Sequence, residues 1–185
     1  MVIGIRQLSL AGAATVLSAP CFAHVGHLGE HGMQASFLTG FLHPLTGLDH
    51  LTALILIGVF AASYSSRKAA QIIGCFALAL IGGFFVGVEW SSAHQMEGLV
   101  TLSLVVLPLA VYALRKGGVM RWVAMIAIGV FSACHGLVQG AEAIGAASEF
   151  GMGSLLASVI VMSATMLMTR WMKNFSSEFY LVKRK

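Results

Sequence analysis

Residues 43–50, His-Pro-Leu-Thr-Gly-Leu-Asp-His, set two imidazoles and a carboxylate into an otherwise apolar stretch. A second group, His135, Gln139 and Glu142, stands at i, i+4 and i+7, so a helix carries all three on one face. Ionisable side chains inside a membrane span are costly and normally face the bundle interior or a wet cavity, which makes them functional candidates. Neutral imidazole with carboxylate is a donor set for nickel, cobalt, zinc or copper, whereas oxygen alone suits magnesium or calcium. His43, Asp49, His50, His135 and Glu142 are therefore the candidate metal ligands. In an unbroken helix His43 and His50 lie about 10.5 Å apart along the axis. Sharing one ion requires the chain to bend, with Pro44 and Gly47 as the hinge.

The elements that must position these residues follow from composition. Of the 185 residues 58% are hydrophobic and 10% charged, against about 25% charged in soluble domains. This is the composition of a membrane protein. The net charge of +4 falls in short clusters between apolar runs, a pattern of topology rather than of nucleic-acid binding. Residues 1–23 have the form of a signal peptide: Arg6, an apolar run from Leu8 to Leu17, and small residues up to Ala23. Cleavage there leaves His24 at the mature N-terminus, opening a segment with His27 and His31 suited to collecting metal. The three cysteines do not suggest a disulfide framework.

A span needs about 20 mainly apolar residues. The reading is one helical membrane domain over 24–185: an all-α bundle with spans near 33–62, 69–88, 98–114, 122–140 and 154–171, or six if the signal stays attached. The stretch 33–62 is too long for one simple span, and a break near Pro44 is expected, because proline removes a backbone donor and crowds the preceding turn. Arg67 and Lys68, then Arg115, Lys116 and Arg121, then Arg170 and Lys173 alternate with segments holding only acidic residues and His94. The positive-inside rule then puts the mature N-terminus outside and the C-terminus in the cytoplasm. Counting along helices from the cytoplasmic ends sets His50 about 18 Å and His135 about 20 Å up. Asp49 belongs at that level. His43, Glu142 and Glu89 come out near the outer boundary, so two ligand layers are expected. Gly83-x-x-x-Gly87 and Gly136-x-x-x-Gly140 have the spacing that lets helices approach closely.

These motifs carry a resemblance. "HPLTGLDHLTALILIGVFAA" followed by "HGLVQGAE" resembles the HupE/UreJ family of hydrogenase- and urease-accessory membrane proteins, regarded as nickel or cobalt permeases. The first motif matches at His43, Pro44, Gly47, Asp49 and His50. The second matches at His135, Gly136, Gly140 and Glu142 but departs at Cys134, Val138 and Gln139, where Gln139 offers an amide in place of the imidazole of some relatives. The resemblance implies divalent metal uptake. The expectation is a non-enzymatic permease of the bacterial inner membrane that moves Ni2+ or Co2+, with Zn2+ also fitting the donors, from periplasm to cytoplasm for metalloenzyme assembly. His24, His27, His31, Gln139 and Glu89 are accessory ligands, and no cofactor is permanently bound. The expected partners are the ion and the lipid bilayer, with a second copy of the chain or metalloenzyme assembly proteins also open. Two rivals stand beside it: an intramembrane zinc-dependent hydrolase and a metal-binding accessory protein that does not transport.

Overall fold

The computed structural model describes residues 33–90 and 92–182, and these are helical with no strand among them. The signal segment, His24, His27, His31 and the three C-terminal basic residues lie outside the described residues. The helices are α1 (Met33–Thr46), α2 (Leu48–Ala61), α3 (Ser66–Glu89), α4 (Glu97–Ala113), α5 (Gly118–Ala141) and α6 (Ala147–Val182). Four of them have the length and apolar composition to cross a membrane, and α1 with α2 forms a fifth candidate span, bent by 74°. The chain is thus a multi-pass helical membrane protein. The bend falls at Gly47, one of the two expected hinge residues, while the other, Pro44, lies inside the last turn of α1. A proline late in a helix removes one donor without forcing the chain out of the helix. Gly47, with ψ at 109°, is where the backbone leaves helical geometry.

Two helix pairings organise the bundle: α3 against α5, and α6 against both halves of the broken span. Helices in lipid associate through close packing rather than hydrophobic burial, so small residues mark the contact. A Cβ added at Gly83 or Gly87 would collide with the backbone oxygens of Ala133 and Leu137, and one at Gly136 or Gly140 with those of Leu80 and Phe84. The two glycine motifs therefore face one another across the α3–α5 contact. Gly40 and Gly153 do the same between α1 and α6, against Phe150 and Phe37.

At the end of the bundle rich in arginine and lysine, side chains from α6 close the turn after α2. Arg170 donates to the carbonyls of Ala62 at 3.4 Å and Tyr64 at 2.8 Å, and Lys173 donates to Ser63 Oγ at 3.1 Å. The carbonyls that a helix end leaves open are satisfied in this way. Tyr64 donates its hydroxyl to Val111 and lies under Arg115, whose guanidinium is 5.1 Å from the ring. Burial pushes the Tyr64 phenol upward in pKa, and the Arg115 charge opposes that. Between this end and the histidines the interior is mainly apolar, built from residues such as Leu54, Ile57, Phe76, Leu104, Leu107 and Ile128.

Candidate metal site

The bend converts sequence spacing into contact. With 74° between the half-helices, the rings of His43 and His50 approach to 5.5 Å between centroids, nearly perpendicular. Both helix ends keep their backbone bonds across the break, Gly47 N–H donating to His43 O at 3.1 Å and Leu51 N–H to Gly47 O at 2.8 Å. Asp49 occupies the first turn of α2, where a carboxylate meets the positive end of the helix dipole. One of its oxygens accepts both the backbone N–H of His50, at 2.8 Å, and Nδ1 of the His50 ring, at 2.9 Å. With Nδ1 carrying the proton, Nε2 of His50 keeps its lone pair. That nitrogen is buried and has no hydrogen-bond partner among the described residues. A buried acceptor without a partner is unfavourable unless something else fills the position.

A Cβ on Gly47 would lie 3.3 Å from His50 Nδ1 and 3.4 Å from Asp49 Oδ1. Its backbone angles are open to any residue, so the constraint is crowding of this pair. Gly47→Val is expected to weaken cobalt binding about tenfold, the scale of disturbing a ligand's support, with Gly47→Ala milder. A cobalt titration of the purified chain in detergent measures both.

Toward the inside, His50 and His135 stand 4.9 Å apart between ring centroids at 88°. His50 is 5% and His135 1% exposed. Nε2 of His135 lies 2.7 Å from Ser103 Oγ on α4, and the Phe76 ring packs 6.1 Å away. Toward the opposite end, His43 Nε2 meets Glu142 Oε2 at 3.2 Å, just past the last residue of α5. Gln139, one turn before Glu142, is buried and accepts the hydroxyl of Ser154 at 2.5 Å. Cys134 is turned into a small apolar cluster with Val100 and Val138. Glu89 is exposed at the end of α3, outside the His43–Glu142 pair. Ser132, one turn before His135, is buried with its hydroxyl unpaired among the described residues.

The five candidate ligands thus form a ladder: Glu142 to His43, His43 to His50, His50 to His135, with Asp49 braced on His50. Among the described residues no group of three or more His, Cys, Asp or Glu converges as a ready chelate. The arrangement passes from pair to pair instead. Ser103 was not singled out by its sequence context; it is a hydroxyl in the apolar run "TLSLVVLPL" of α4, and only the packing of α4 on α5 brings it to His135.

An exposed carboxylate leading through three imidazoles into the bundle interior defines a membrane protein with a polar intramembrane ladder. The family description "HupE / UreJ protein" matches residues 12–184. Protein HupE of Rhizobium leguminosarum bv. viciae is 30% identical over 147 residues, which cover 78% of this chain and 74% of that relative. The chain belongs to the HupE/UreJ family. No solved structure matches it.

Proposed function

We propose that this protein is a secondary permease for a divalent transition metal, nickel or cobalt, carrying it from the periplasm across the bacterial inner membrane to supply metalloenzyme assembly. The observation that carries the reading is the continuous ladder from Glu142 to His135. Nitrogen and carboxylate donors suit these ions, and separate pairs of ligands let an ion be held moderately and handed on. The family resemblance favours nickel and cobalt over zinc. The basic residues gathered at one end, Arg67, Lys68, Arg115, Lys116, Arg121, Arg170 and Lys173, support a cytoplasmic assignment for that end. Glu142 then receives the ion at the periplasmic mouth, with the N-terminal histidines and Glu89 as collectors. His43 passes it to His50 and His135, and Gln139 lines the interval between the layers.

The test is uptake of nickel and of cobalt, each alone, into proteoliposomes of the purified chain, with and without a pH gradient. The wild type is expected to accumulate ion, and Glu142→Ala to accumulate it several-fold more slowly with little change in melting temperature. A chain that binds nickel in detergent yet moves neither ion into vesicles is an accessory metal-binding protein, and the permease reading is then wrong.

A further inference from the structure

Ser103 is fully buried and makes two polar contacts: its hydroxyl lies 2.5 Å from the carbonyl oxygen of Val100 and 2.7 Å from His135 Nε2. A serine hydroxyl has one proton and two lone pairs. Two oxygens at 2.5 Å repel unless a proton lies between them, so the Ser103 proton is on the bond to Val100. The hydroxyl then has only lone pairs to offer His135, and the contact at Nε2 requires the imidazole to donate. His135 is thereby held as the tautomer protonated at Nε2, with Nδ1 bare.

Resting on the metal-site reading above, we propose that Ser103 is a positioning residue for the cargo ion: it accepts the Nε2 proton of His135 and so fixes Nδ1 as that residue's metal donor. Asp49 does the complementary job for His50, accepting at Nδ1 and leaving Nε2 bare. The two imidazoles of the inner layer, with ring centroids 4.9 Å apart, are therefore left with opposite nitrogens bare. One is backed by a carboxylate and the other by a neutral hydroxyl. A carboxylate raises the basicity of its imidazole more than a hydroxyl does, so His50 is the stronger donor and His135 the weaker one. Ligands of unequal strength suit a position from which the ion must depart.

The full-length chain in detergent, titrated with cobalt chloride and followed by its ligand-field absorption, tests this. Ser103→Ala is expected to weaken cobalt binding about tenfold or more at an unchanged melting temperature. Ser103→Thr keeps a hydroxyl that can bond the carbonyl one turn back and is expected to restore the affinity. In the metal-free chain, NMR of nitrogen-labelled histidine is expected to find His135 in the Nε2–H form, and in a mixture of tautomers in Ser103→Ala. Wild-type affinity in Ser103→Ala, or a tautomer balance that the substitution does not move, overturns the assignment. If the wild type binds no cobalt at all, the metal-site reading fails, while the tautomer comparison still decides the role of Ser103.

Discussion

His50→Ala is expected to abolish nickel and cobalt accumulation and to weaken binding in detergent on the order of a hundredfold, the upper end for disturbing a metal site. Among the described candidate ligands His50 stands at the centre of the ladder: its ring neighbours His43 at 5.5 Å and His135 at 4.9 Å and is held by Asp49. Its removal opens the ladder in the middle, whereas loss of Glu142 trims one end. The substitution also strips Asp49 of its imidazole partner, so a poorly folded variant is a rival explanation for lost uptake. Asp49→Asn combined with His50→Ala removes the stranded charge and is expected to melt like the wild type while still failing to accumulate metal. Wild-type uptake by a well-folded His50→Ala chain would rule out this ladder as the route.

The largest effect on folding is expected from Gly136→Leu. A Cβ at this position falls on the backbone oxygen of Leu80, while that of Gly83 falls on Ala133, so the contact is backbone against backbone on both helices. No flexible side chain stands there to yield. Overpacking a well-filled interior costs about 1–3 kcal/mol and occasionally more, and this contact belongs at or above the top of that range. Because His135 is the preceding residue, separating α3 from α5 also displaces the imidazole. The expected result is a marked fall in melting temperature in detergent together with loss of cobalt binding. Gly82→Leu is the control: it is one residue from Gly83 on α3, but a Cβ there meets nothing within 4 Å. Equal melting of the two variants would show that the α3–α5 contact does not depend on its glycines.

Much of this arrangement was legible in the sequence, and the misses have definite physical causes. Counting residues along helices from the basic ends paired His50 with His135 and His43 with Glu142 before any contact was known, because helical rise is constant and a membrane gives the helices a common origin. Height is all that such counting yields. Glu89 has the right height but is exposed at the end of α3, outside the His43–Glu142 pair, since the direction in which a residue faces depends on how its helix is rotated. The need for a break between His43 and His50 was evident from their spacing. Pro44 and Gly47 were both legible as its hinge; which of the two leaves helical geometry was not, because Pro44 can end its turn inside a helix while Gly47 takes the extended conformation. The glycine motifs were visible as motifs, but that they meet each other is a fact of tertiary packing. Ser103 was hidden for the same reason.

The apolar layer between the histidines and the arginine- and lysine-rich end has an electrical consequence. Leu54, Ile57, Leu104, Leu107 and Ile128 fill it, with Phe76 at its upper boundary beside His135. A charge in such a low-dielectric slab, where the Ser132 hydroxyl one turn below His135 is a buried polar group, faces a cost that idealised solvation puts at tens of kcal/mol. The slab is a barrier to charge, the opposite of the wet lining of an open pore. Any ion that crosses must wait for the helices to part, a collective motion of microseconds to milliseconds. On the permease reading, throughput is then counted in conformational cycles.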